Sequence, residues 1–263
     1  DTVAGIRRVV LSEGRAKGVE ALEVKTAAGF ACTVLADRGL DIADASYRGV
    51  NLAFLSKNGI TGRSDFLPME MEFLHSFMGG LLTTCGLRNA GIANRDGEEY
   101  QPLHGRVAGA PAEHLSYGLS PDGAEIVIRG TLRETRLFGC NLRLHRTLRI
   151  PVDGAAVAVE DDLENLAPEP EGILVLYHFN MGYPLLQAGC RLRFPPGRIQ
   201  ARDEEAGKGL AEADRMDAPT DGRPEQCYFH FPDNPIPGRM VRFELLNPAL
   251  SLGAAVEFDP ETL

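Results

Sequence analysis

The chain has 263 residues, of which 44% are hydrophobic and 24% charged, with a formal net charge of -10 and a pI near 5.1. That is long enough to bury a sizeable core, and all-β architectures of this length form one domain, so a single domain spanning 1–263 is expected. The acidic balance excludes a nucleic-acid backbone as partner, because such binders concentrate Lys and Arg to displace counterions.

The arginines are dispersed, and Arg38, Arg88 and Arg106 each stand beside Gly, Asn or His, where a guanidinium serves as a hydrogen-bonding fork rather than as part of a charged stripe. No run approaches the roughly 18 apolar residues that cross a bilayer, so no membrane partner is expected. The five cysteines, Cys32, Cys85, Cys140, Cys190 and Cys227, are widely spaced and form no CxxC pair, which points to reduced thiols and a cytoplasmic protein. The chain opens on Asp1 rather than Met, so further residues are expected outside the sequence given.

In chain order, strands are expected over 19–26 and 31–36, followed by 66–78, which holds at most a turn or two of helix before Gly79-Gly80 stops it. A strand at 125–129 precedes the clearest signal in the chain. Over 142–150, Leu142, Leu144, Leu148 and Ile150 share one face with Arg146, while Arg143, His145, Thr147 and Arg149 share the other. Val157, Val159 and Leu163 repeat the alternation, and Pro151-Val152-Asp153-Gly154 between the two runs predicts a hairpin. Further strands are expected at 173–179, 241–246 and 254–258, with 202–223 a solvated excursion. Helical periodicity is weak throughout. The class is therefore all-β with few short helices, a large antiparallel sandwich whose 29 Gly and 17 Pro supply the reversals.

Two histidines carry the chemistry. His104 stands in Leu103-His104-Gly105-Arg106, and His178 in Tyr177-His178-Phe179-Asn180. With an ordinary pKa near 6.5, imidazole exists in both protonation states at neutral pH, as acid–base work on a polyol needs. The plainer alternatives are a satisfied strand histidine at 178 and a turn-shaping one at 104. Arg38 and Asp41 flank a glycine at a strand end, where a local salt bridge is the competing reading. Arg88 and Asn89 follow a glycine-bearing loop and could grip adjacent hydroxyls. Glu225 is the best carboxylate for substrate binding or as a substitute base, with an exposed strand-edge charge equally open. Glu72 and His75 have helical spacing but no third ligand, so no metal site is assigned. Cys85 reads as a buried small residue rather than a nucleophile.

Four segments in order resemble the aldose 1-epimerase (galactose mutarotase-like) superfamily, and within it a poorly characterised bacterial branch. They are Asp37-Arg38-Gly39-Leu40-Asp41-Ile42 with Tyr47-Arg48-Gly49; Gly79-Gly80-Leu81-Leu82-Thr83-Thr84-Cys85-Gly86-Leu87-Arg88-Asn89; His104-Gly105-Arg106; and Tyr177-His178-Phe179-Asn180 with Gly182-Tyr183-Pro184. The resemblance implies a β-supersandwich and a mutarotase or epimerase acting at C1 of an aldose or related sugar, without cofactor. It implies that His104 positions the sugar and His178 protonates the ring oxygen. Arg38, Asp41, Arg88, Asn89, Arg106, Tyr177 and Asn180 would then serve as binding residues. His178 is followed at once by Phe179-Asn180, where the family has two intervening residues. The family's basic glutamate sits in a Glu-Pro segment after a late strand, and it is expected beyond residue 263. A small-molecule carbohydrate is the expected partner, and a homodimer is compatible with this reading. Two rival readings are a carbohydrate-binding or sensing protein that has lost the base, and another isomerase or lyase of sugar metabolism, since one fold hosts many chemistries.

Overall fold

The alternation at 142–150 becomes one half of the longest strand pair among the described residues. The structure is a computed structural model describing residues 2–233, 236 and 238–262. The chain divides into two compact units, Asp1–Gly182 and Tyr183–Leu263.

In the first unit the strands are β1 (Gly5–Val10), β2 (Glu20–Lys25), β3 (Phe30–Leu35), β4 (Asp41–Tyr47), β5 (Val50–Asn51) and β6 (Leu82–Cys85). They continue with β7 (Asn94–Asp96), β8 (Glu99–Gln101), β9 (Glu113–Leu119), β10 (Glu125–Thr135), β11 (Asn141–Pro151), β12 (Ala158–Asn165) and β13 (Leu176–Phe179). One sheet runs β1-β2-β3-β4-β6-β13 with β5 on β4, a second runs β12-β11-β10-β9, and β7 and β8 form a small hairpin. Neighbouring strands within these sheets pair antiparallel, as expected for strands joined by short polar turns. The strand expected at 125–129 extends to Thr135, and that expected at 173–179 begins only at Leu176. The 66–78 segment holds α1 (Phe73–Ser76), one turn long.

The second unit contains β14 (Arg191–Arg193), β15 (Gly197–Ala201), α2 (Glu204–Lys208), β16 (Tyr228–Pro232), β17 (Val241–Asn247) and β18 (Leu252–Phe258), in the sheets β14-β17-β18 and β15-β16. The 202–223 excursion includes α2, capped by the Asp203 carboxylate on the Ala206 N–H. The all-β class expected from the sequence holds, with two short α-helices among the described residues.

Alternation within the strands gives each large sheet of the first unit an apolar face. Leu22, Val24, Cys32, Val34, Ile42, Ala45 and Leu82 from the seven-stranded sheet pack with Ile126, Ile128, Leu148 and Ile150 from the four-stranded one. Fully burying a side chain of this size contributes about 1.5–3 kcal/mol. The opposite face of the seven-stranded sheet carries a smaller cluster of Val19, Ala21, Leu35, Ala43 and Met78.

Arg146 stands on the apolar face of β11 and is fully buried. Its Nε and Nη2 donate to the two Asp161 oxygens at 2.9 and 2.6 Å, and Nη1 donates to Gly39 O at 2.9 Å, Thr84 Oγ1 at 2.8 Å and Asp41 Oδ1 at 3.3 Å. Tyr177 completes the set by donating to Asp161 Oδ2 at 2.8 Å. Thus β4, β6, β11, β12 and β13 are fastened by one guanidinium. Removing one member of such a buried ionic set leaves charges uncompensated. Arg146→Met should lose about 3–5 kcal/mol of unfolding free energy in chemical denaturation, far more than a surface arginine.

Burial pushes the Asp41 carboxyl up to about 6 from 3.8, against the pull of Arg146 and the Thr84 hydrogen bonds. A carboxyl raised on folding binds its proton more tightly in the folded state. Its contribution to stability is therefore complete below about pH 4 and is lost as pH rises through about 6. The difference in Tm between Asp41→Asn and the parent should shift in favour of the variant from pH 4 to pH 7. A pH-independent difference would refute this assignment.

Candidate active site

Strand alternation puts adjacent residues of β13 to work on opposite faces. Tyr177 turns toward the core and Asp161, whereas His178, opposite Thr83 of β6, turns to the other face. Two loop segments meet His178 there.

The first is the 86–109 loop, which doubles back on itself through a parallel bridge between Gly86 and Gly105. Gly86 N donates to His104 O at 3.1 Å, and Gly86 O accepts from Arg106 N and Val107 N at 2.8 and 3.0 Å. A Cβ on Gly105, whose φ is +74°, would lie 2.1 Å from Gly86 O and 2.3 Å from Asn89 O. The glycine after His104 is therefore dictated by backbone approach as well as by conformation. The second segment is 52–80, tied to the residues after β13 by Phe54 N to Asn180 O at 2.9 Å and by Gly182 N to Leu52 O at 2.9 Å. It supplies Phe73 and Phe77.

Four rings result. His104 and His178 stand with centroids 5.8 Å apart and planes at 84°. Phe73 lies 5.0 Å from His104 and 5.5 Å separates Phe77 from His178, both edge-on, while the two phenyl rings stack at 5.1 Å. Both imidazoles are half-buried. His104 Nδ1 lies 2.8 Å from Ala90 O. A carbonyl only accepts, so Nδ1 carries the proton and the neutral ring keeps Nε2 as its acceptor. His104 itself has φ +59°, held by its N–H on Gly91 O at 2.8 Å.

The other residues singled out in the sequence lie around these rings or elsewhere. Arg38 is buried, and its guanidinium donates to Ala108 O at 2.9 Å, Thr61 O at 3.0 Å, Thr61 Oγ1 at 2.6 Å and Ser76 O at 3.4 Å. It thereby joins the segments that carry α1 and the end of the His104 loop. Asp41 is in the Arg146 network, on the core side. Arg88 faces three carboxylates: Glu99, Glu171 at 3.0 Å and Asp96 at 3.2 Å. Arg106 is half-buried and donates to Gln101 Oε1 at 2.9 Å and Tyr100 O at 2.6 Å, with Glu134 at 3.6 Å. The Asn180 amide donates to His178 O at 3.0 Å. Asn89 is buried within the loop. Glu225 belongs to the second unit, where Arg202 donates to it at 2.9 Å.

Phe73 and Phe77 were not among the residues the sequence singled out; the usable signal is the aromatic and methionine-rich run before Gly79-Gly80. Glu134 gave no such signal, yet it is buried and accepts from Leu87 N at 2.7 Å. Burial pushes the Cys85 thiol up to about 12, which suits a packing residue and not a nucleophile. Among the described residues, no three His, Cys, Asp or Glu side chains gather as a metal-holding group, and no helix is long and apolar enough to cross a membrane.

Gly105→Ala is expected to cost about 2–5 kcal/mol in denaturant unfolding, adding a disfavoured backbone to a backbone overlap. Gly97→Ala, at a similar φ of +59° with open space around it, should cost only the conformational part.

Residues 16–263 match the family model described as Domain of unknown function (DUF4432). No curated protein matches the chain. Among solved structures, the chain is similar to a protein of Klebsiella pneumoniae subsp. pneumoniae provisionally designated an aldose 1-epimerase, with TM-score 0.90 and 22% identity over 98% of this chain and 68% of that one. It is also similar to galactose 1-epimerase from Lactobacillus acidophilus NCFM, with TM-score 0.48 and 17% identity over 77% of this chain and 60% of that one. The first likeness shows that this chain and the Klebsiella protein share a fold.

Proposed function

We propose that this chain, which belongs to the DUF4432 family, is a sugar mutarotase or epimerase acting at C1 of an aldose or related sugar by general acid–base chemistry. The observation that carries the reading is the convergence of His104 and His178, remote in sequence, with ring centroids 5.8 Å apart and planes nearly perpendicular. Anomer exchange requires the O1–H proton to leave while O5 gains one. The C1–O5 bond then breaks to give the open-chain aldehyde, and closure on the other face of C1 gives the second anomer.

His178 is assigned as the acid at O5. His104, with Nδ1–H committed to Ala90 O, offers Nε2 to a sugar hydroxyl and positions the ring. Arg106 and Asn180, half-buried beside the imidazoles, are assigned to hydroxyl contacts. Arg38, Asp41, Arg88 and Tyr177 are assigned to the frame, because Arg38 and Asp41 are buried while Arg88 and Tyr177 are paired with carboxylates. Glu225 has no role in this scheme. The O1–H proton passes to a general base, for which no side chain is assigned. Five free cysteines support a cytoplasmic location.

Polarimetry or proton NMR on freshly dissolved anomers tests the reading with a panel of neutral aldoses and sugar acids. Exchange of one class should be accelerated, and His178→Ala should lower kcat about 10²- to 10⁴-fold, the usual worth of a positioned acid or base. A sugar that raises Tm while its anomers exchange at the buffer rate would make the protein a carbohydrate binder and overturn the catalytic assignment.

A further inference from the structure

We propose that Asn89 is a positioning residue that sets the tautomer and direction of His104 through the Ala90 carbonyl. Its side chain is buried, 4% exposed, so its amide works inside the loop rather than on a ligand. Nδ2 lies 2.7 Å from Pro102 O, 3.1 Å from Ile92 O and 3.3 Å from Gly91 O. Oδ1 accepts from Asn94 Nδ2 at 3.1 Å and from Gly91 N at 3.3 Å. Gly91 and Ile92 directly follow Ala90, whose carbonyl receives His104 Nδ1–H; Pro102 lies two residues before His104. One amide therefore joins the turn that presents the acceptor to the segment that presents the imidazole.

The residue type follows from this geometry. The amide group donates two hydrogens among three carbonyls and accepts from two N–H groups, so both of its ends are used. A carboxylate in its place would set negative oxygens against those carbonyls, and an apolar side chain would leave each carbonyl with only its other donor, His104 N, Asn94 Nδ2 or Gly105 N. Without the tie, Ala90 O is no longer held 2.8 Å from Nδ1, and the proton can pass to Nε2. An imidazole in the other tautomer presents a donor where an acceptor stood, and displacement by an ångström at a reacting group is itself worth about 10²-fold. The kinetic consequence rests on the proposed sugar chemistry; the tautomer does not.

The test is nitrogen NMR of the whole chain labelled in histidine, at a pH where the rings are neutral. In the parent, His104 should show Nδ1 protonated and Nε2 bare. Asn89→Ala should shift His104 toward a tautomer mixture and leave His178 unchanged, and should lower kcat for anomer exchange about 10- to 100-fold with KM nearly constant. Asn94→Ala, an exposed substitution removing one donor to Oδ1, should move the His104 signals the same way by less. If Asn89→Ala does not fold, Asn94→Ala decides. An unchanged His104 tautomer in Asn94→Ala, or in folded Asn89→Ala, overturns the proposal. A tautomer shift in a protein that accelerates no anomer exchange upholds it and refutes the function proposed above.

Discussion

The first unit depends on a single buried cation. Arg146 is 0% exposed in its side chain and meets Asp41 and Asp161, themselves 1% and 4% exposed. Isolated burial of any of the three charges would be prohibitive, so the group is stable only when complete. Burial disfavours the Arg146 charge, but the Asp161 hydrogen bonds and the charges of Asp161 and Asp41 outweigh it and raise its pKa. Its donors reach β4, β6 and β12, and through Asp161 it also engages Tyr177 of β13. Hydrophobic packing brings the two sheets together without fixing their lateral register. Directional bonds that join β11 to four other strands do fix it, which is one way a buried polar network specifies a structure.

That constraint reaches the candidate site through the backbone. Thr84 and Tyr177 are cross-strand partners, and so are Thr83 and His178 one step along. The first pair serves the Arg146 network on one face. The second pair presents the imidazole on the other. A one-residue slip between β6 and β13 would exchange these faces, burying His178 and exposing Tyr177. The network therefore keeps His178 where it is without touching it. His104 is held by different means, since it sits on a loop: a glycine contact at Gly86 and Gly105, carbonyl bonds around Asn89, and the Arg38 clamp on Ala108.

Much of the strand pattern was legible because half-buried antiparallel strands write period two directly. The 142–150 run even placed Arg146 among apolar residues, although alternation alone could not say which carboxylates meet it. The strands least visible were β6, whose four residues are all buried, and β7 and β8, with three residues each. A uniformly buried stretch has no alternation to detect, and Leu82–Cys85 therefore reads as part of a glycine-bearing loop. At the site, the two histidines were legible from their motifs. Phe73 and Phe77 were not, because a ring in a short irregular strap has the same sequence signature whether it packs in a core or lines a cleft.

The arginines mark the sharpest limit of sequence reading. Arg38, Arg88 and Arg106 each stand beside a glycine, asparagine or histidine, and each looks like a fork awaiting a ligand. In the folded unit Arg38 is taken up by carbonyls and a hydroxyl, Arg88 by three carboxylates, and Arg106 by Gln101, Tyr100 O and Glu134. A guanidinium has five donors in a fixed fork, so it joins loops that have no regular ladder of their own as readily as it grips a substrate. Loop-built sites need such joints because irregular backbone leaves carbonyls without strand partners. Arg38 and Arg88 therefore serve to hold the loops, and the rings are what the loops and β13 present: two phenyl edges for packing, and two imidazoles.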